Sequence, residues 1–203
     1  MRVLSLDAST KSGWALFVDG KLTDSGALTP VKIEDFNVNK DPQLSPHYPY
    51  NIFDGARQVS VLVHELLMKC SPVDVVVVEN TNKGKNRHTQ RFLEFMHFCI
   101  LGMLRSVKQP MVYMDTSEWR QIMGLAATKE DKKSNAKLSK AKRVALAAGV
   151  KLDKKTLGIK GKINVKHRAV RMVNEQYGKK LKMKDNDEAD AILMGEAYCR
   201  RQK

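Results

Sequence analysis

The sequence predicts an α/β protein with a mixed sheet: an antiparallel three-stranded meander continued by parallel strands and flanked by helices. Three observations carry this reading. The opening stretch Met1–Phe17, MRVLSLDASTKSGWALF, holds an apolar run that ends in an aspartate, then a polar loop, then a second apolar run. Asp19-Gly20 lies between two strand-like segments, and its tolerance of positive φ makes it a tight hairpin turn. Val73–Val78, VDVVVV, follows a helical pattern, and consecutive valines suit a strand covered on both faces, as parallel strands are.

Arg2–Leu6 is the first strand, with Val3, Leu4 and Leu6 as its apolar residues and Asp7 at its end. Gly13–Val18 is the second strand and Lys21–Leu28 the third. Thr29–Asn51, with prolines at 30, 42, 46 and 49, is a long loop whose His47, Tyr48 and Tyr50 give it aromatic surface. Ile52–Lys69 places Ile52, Ala56, Val59, Val63, Leu66 and Leu67 at helical spacing. The valine strand then ends at Glu79, a second carboxylate at the C-terminal end of a central strand, where open α/β sheets place their sites.

Thr81–His88 is a basic loop leaving directly from Glu79, with Lys83, Lys85 and Arg87 as candidate phosphate contacts. Thr89–Val107 is a helix whose Phe92, Phe95, Met96, Cys99, Ile100, Met103 and Leu104 suit core or a partner-subunit face better than a cofactor box, and this stripe is the candidate dimer face. Met111–Met114 is a short strand, and Thr116 opens a helix carrying Trp119, Ile122 and Met123 that closes at Gly124. From Thr128 to Arg171 the composition turns sharply to lysine with few apolar anchors. It reads as a basic insertion over about 128–157, helical at most over Ser139–Ala148 and ordered by a phosphate backbone. Asn164–Tyr177 is a helix ended near Gly178, and the last helix begins around Asp187 with an apolar face containing Leu193 and Ala197.

The chain of 203 residues is long enough for a sizeable core, and 1–203 is expected to form one domain with that insertion. Its 36 Lys and Arg against 22 Asp and Glu leave a formal net charge of +14, which points to a polyanion, nucleic acid first. Cys70, Cys99 and Cys199 match neither a metal-ligand spacing nor a disulfide framework, so a cytoplasmic setting is expected. The sequence holds no apolar run long enough to span a bilayer, so no membrane partner is expected.

Asp187 and Asp190 are spaced i, i+3 and share one face of the last helix's first turn. Asp190 falls with the apolar side, and a buried-side acid needs a cation. With Asp7 and Glu79 they make a set of carboxylates at strand ends and at the start of a helix that must pack on the same sheet. Such acids repel one another and hold protons unless divalent cations neutralise them. All-oxygen donors favour Mg²⁺ or Mn²⁺ over Zn²⁺. Two such ions about 3.5–4 Å apart activate water and stabilise the leaving oxygen of a phosphodiester.

The order strand–Asp, hairpin, helix, strand–Glu, helix and a final helix with Asp-x-x-Asp resembles the ribonuclease H-like fold, and more narrowly the RuvC-type Holliday-junction resolvases in a form like those of phages. LSLDASTKSGWAL around Asp7, VVVVEN around Glu79 and DEADAILMGEA around Asp187 and Asp190 carry the likeness. The resemblance implies metal-binding roles for Asp7, Glu79, Asp187 and Asp190, a homodimer, and paired symmetric nicks across a four-way junction with no nucleotide cofactor. It implies that Asp7 bridges the ions, that Glu79 and Asp190 each complete one shell, and that Asp187 supports them. It also implies a lysine near the scissile phosphate, for which Lys166 is the best match and Lys162 the second, with Lys160 a further DNA contact in the same basic stretch.

Three other functions compete. An ATPase of the same fold needs a Gly-rich phosphate loop after Glu79, which this sequence lacks. A non-catalytic DNA binder gains nothing from acids beside phosphates. A general endonuclease for forks and flaps shares all of these features.

Overall fold

A computed structural model of the chain describes residues 1–32, 35, 39, 44–80, 87–152 and 161–202. Its five-stranded sheet consists of β1 (Arg2–Asp7), β2 (Gly13–Val18), β3 (Lys21–Ala27), β4 (Val75–Glu79) and β5 (Met111–Met114), in the order β3-β2-β1-β4-β5. β1–β2 and β2–β3 are antiparallel, whereas β1–β4 and β4–β5 are parallel. The turn between β2 and β3 takes positive φ at both Asp19 (50°) and Gly20 (76°), matching the right-handed twist of the strands it joins.

Helices α1 (Tyr50–Cys70) and α2 (Arg87–Ser106) cover one face of the sheet; α3 (Thr116–Ile122), α5 (Val165–Tyr177) and α6 (Asn186–Arg201) cover the other, and α4 (Lys129–Ala147) precedes α5. Strand alternation sorts the core. Leu4, Leu6, Val76 and Val78 pack on Ile52, Val59, Met96 and Ile100, while Val3, Val75 and Val77 pack on Trp119, Val173, Ile192 and Leu193. The valines of β4 therefore divide between the two layers, as a doubly covered strand requires.

Two expectations change. The stripe on α2 is not a subunit face: Phe92, Met96, Ile100 and Leu104 are buried within the chain against α1 and the sheet, and Phe98 is the large apolar residue that α2 exposes. The lysine-rich segment is helical ten residues earlier than its apolar pattern suggests. A capping box, in which Thr128 and Asp131 satisfy each other's backbone N–H groups, starts α4. Polar groups then fasten it. Arg171 pairs with Asp131 at 3.1 Å, and the Asn135 amide bonds both the N–H and the C=O of Ile163 at 2.8 Å each. Gly178 ends α5 in the left-handed conformation, at φ 63°.

Candidate active site

The parallel register Leu6↔Val78 sets the ends of β1 and β4 side by side, so that Asp7 and Glu79 leave the sheet at the same edge. β2 contributes Gly13 directly opposite Asp7. The first turn of α6 lies on that glycine so closely that a Cβ there would stand 1.9 Å from the Asp187 carbonyl oxygen. The same close approach recurs two turns later, where a Cβ on Gly195 would stand 2.5 Å from Ser5 Oγ. Between them the buried Ser5 hydroxyl donates to the Ala191 carbonyl at 2.7 Å. Small residues at these contacts thus seat α6 on β1 and β2, with Asp187 and Asp190 over Asp7.

Polar contacts fix the same turn from its sides. Lys179 bridges Ser25 and Glu188, and Ser25 donates to Glu188 at 2.7 Å. Lys11, in the loop after Asp7, donates to the Lys184 carbonyl at 2.9 Å. Lys166, in the first turn of α5, donates to Asn186 and lies 3.7 Å from Asp187. On the other side, β5 delivers α3, whose Thr116 hydroxyl (2.6 Å) and Trp119 indole N–H (3.1 Å) both donate to Glu79 Oε1. Arg120 approaches Asp190 at 3.8 Å, while its Nε is buried with no hydrogen-bond partner among the described residues.

Asp7 is 8% exposed and Asp190 4%. Burial pushes the Asp7 carboxyl well above the ordinary carboxylate range; the charge of Glu79 and a hydrogen bond with it add to this, followed by Asp190 and Asp187. Burial likewise pushes Asp190 up to about 7, with Glu79 next and Asp187 also raising it, against Arg120 and Lys166, which lower it. Each acid therefore feels the others. Buried His97 of α2 also lies within the field of Glu79; its own burial, the larger effect, keeps it below the usual histidine range.

Among the described residues, no three His, Cys, Asp or Glu side chains are placed so that they could hold a metal ion. The chemistry of the donor set nevertheless fits hard divalent cations: carboxylate oxygens, two of them on buried acids, gathered without enough positive charge to hold them all ionised. A consequence is testable in metal-free buffer. A raised folded-state pKa means that the folded protein binds the proton more tightly, so stability is lost as pH climbs from about 4 to about 7 across the Asp190 shift. Asp190→Asn should make the fall of melting temperature across that window shallower; an unchanged slope would refute the assignment.

The candidate residues Asp7, Glu79, Asp187, Asp190 and Lys166 come to one place. Lys162 is exposed on the segment entering α5, and Arg87 is exposed as the first residue of α2. Lys83, Lys85 and Lys160 lie outside the described residues. Sequence reasoning missed Thr116, Trp119, Arg120, Asn186, Ser5 and Gly13. A signal existed for two of them, since Thr116 and Trp119 share a helix face immediately after a strand that pairs with the Glu79 strand.

Neither a protein-family model nor a curated protein matches the chain. Solved structures do. RuvC of Thermus thermophilus in complex with a Holliday junction substrate aligns over 99% of this chain and 96% of its own, with TM-score 0.58 and 14% identity. A second Thermus thermophilus RuvC structure aligns over 100% and 97%, with TM-score 0.58 and 16% identity. The yeast mitochondrial Holliday junction resolvase Ydc2 aligns over 99% and 78%, with TM-score 0.51 and 15% identity. The mixed sheet and its helices thus have the ribonuclease H-like fold in its RuvC-type arrangement.

Proposed function

We propose that this chain, with its RuvC-type fold, is a metal-dependent endonuclease that resolves four-way DNA junctions by symmetric nicks, acting as a homodimer. One observation carries the reading: Asp7 and Asp190 are buried at one sheet edge within the fields of Glu79 and Asp187, in a chain of net charge +14. Buried acids that destabilise each other are retained where a cation neutralises them, and a basic protein brings phosphate to that cation.

In this reading Asp7, Glu79, Asp187 and Asp190 hold Mg²⁺ or Mn²⁺. Bound there, such a pair supplies an activated water and neutralises charge on the departing oxygen. The chain's own residues do the rest. Thr116 and Trp119 orient the Glu79 carboxylate by holding one of its oxygens. Lys166, placed by α5 beside Asp187, presents its ammonium to the charge that develops on the phosphoryl group. Lys83, Lys85, Arg87, Lys160 and Lys162 hold the sugar–phosphate backbone. A second copy supplies the nick on the opposing strand.

The test is to incubate the protein with a labelled four-way junction, a fork and plain duplex, in Mg²⁺ and in EDTA. Mg²⁺-dependent symmetric nicks on the junction are expected. Equal cutting of forks would widen the activity to branched DNA in general. Binding without cutting in both Mg²⁺ and Mn²⁺ would overturn the nuclease reading.

A further inference from the structure

We propose that the outward face of α4 is a separate binding surface for duplex DNA, taking the backbone of an arm that leaves the cleavage site; this rests on the chain acting on DNA. The helix is anchored along one side. Asp131 is buried against Arg171, Asn135 clasps the backbone of Ile163, and Leu138 and Ala145 are buried. These positions run i, i+4, i+7, i+14 and trace one helical face. At 3.6 residues per turn the opposite face carries Lys129, Lys132, Lys133, Lys137, Lys140 and Arg143, all exposed.

Among the described residues no ion pair engages any of these six side chains. The acids of α4, Glu130 and Asp131, both lie in its first turn, and Asp131 is occupied by Arg171 and the cap. Like charges at i, i+3 and i, i+4 oppose helix formation, as between Lys129 and Lys133, Lys133 and Lys137, or Lys140 and Arg143. The polar anchors offset that repulsion, and among the described residues no ion pair neutralises the stripe. From Lys129 to Arg143 it extends about 21 Å, against a duplex that carries one phosphate charge per about 1.7 Å of axis.

Its position fits the same partner. Asn135 holds Ile163 three residues before Lys166, so α4 passes beside the segment that delivers Lys166 to the acids. The large apolar residues that α4 exposes, Val144 and Leu146, are confined to its last turn, and the outward face from Lys129 to Arg143 carries none, so the stripe suits a phosphate backbone better than an anionic membrane.

The test measures binding of linear duplex and of a four-way junction in EDTA over a range of salt. It compares the wild type with a variant carrying K133Q, K140Q and R143Q, and with a control carrying K21Q, K69Q and K108Q, exposed elsewhere. Glutamine keeps helix propensity, and an unchanged melting temperature verifies the fold. The stripe variant should bind both DNAs more weakly, its plot of log affinity against log salt shallower by about 3, one per lost phosphate contact. The control should keep most of the wild-type slope. Wild-type affinity and slope in the stripe variant would overturn the proposal and leave the stripe to another polyanion. Failure of the wild type to bind any DNA would overturn it together with the nuclease reading. Duplex binding weakened by the stripe variant, without metal-dependent cutting, would leave the stripe standing while the nuclease reading fell.

Discussion

Asp7→Asn is expected to abolish cleavage, leave junction binding intact, and raise the melting temperature in metal-free buffer. The three outcomes have one cause. Asp7 is buried, and its negative form is opposed by Glu79, Asp190 and Asp187. The amide keeps the shape and removes the charge, so repulsion inside the folded protein falls, and each 1 kcal/mol relieved raises the melting temperature by about 2–4 °C in a chain of this size. The same change removes the donor central to the acid cluster. A residue present only for folding gives the opposite pattern, with stability and activity falling together. Thermal melts in EDTA beside a gel-based nicking assay read both at once.

Gly13→Ala is the second large effect. The added methyl would stand 1.9 Å from the carbonyl oxygen of Asp187 and 2.1 Å from its carbonyl carbon. These are backbone atoms, so no side-chain rotation relieves the contact, and the first turn of α6 must lift from the sheet. Overpacking of this kind costs about 1–3 kcal/mol and sometimes more. A displacement near 1 Å at a reacting centre can cost about 100-fold in rate. The variant is expected to lose several degrees of melting temperature and nearly all nicking, with DNA binding through the basic surfaces preserved. Gly102→Ala is the contrasting control. A methyl there meets nothing within 4 Å, and alanine in the α2 interior is worth up to about 1 kcal/mol over glycine. Wild-type activity in Gly13→Ala would show that the seat of α6 does not set the site.

The parts of the fold legible in the sequence were those written in short-range patterns. The Asp19-Gly20 turn joins β2 to β3 with positive φ at both positions, and β4's valines fill both layers. The acids at the ends of β1 and β4 were legible for the same reason, since a charged residue closing an apolar run marks a strand end. The start of α4 was not, because its anchors are Asp131 and Asn135. Apolar periodicity passes over a helix fastened by an ion pair and an amide clasp. The α2 stripe could be read as apolar but not assigned a partner: core and subunit face have the same spacing, and only the position of α1 decides between them. Gly13 looked like an ordinary strand residue, since its role arises from α6, more than 170 residues later in the chain. Arg120, Thr116 and Trp119 belong to a helix that only the pairing of β4 with β5 brings to Glu79.

If the buried acids hold divalent cations, uptake of manganese reports it without reference to any DNA substrate. Electron paramagnetic resonance of free Mn²⁺, titrated against the wild type and Asp7→Asn, measures the ions withdrawn from solution. Saturable uptake by the wild type, approaching two ions per site, is expected, with its loss in the variant. Equal uptake by both proteins, or none by either up to millimolar manganese, would contradict it.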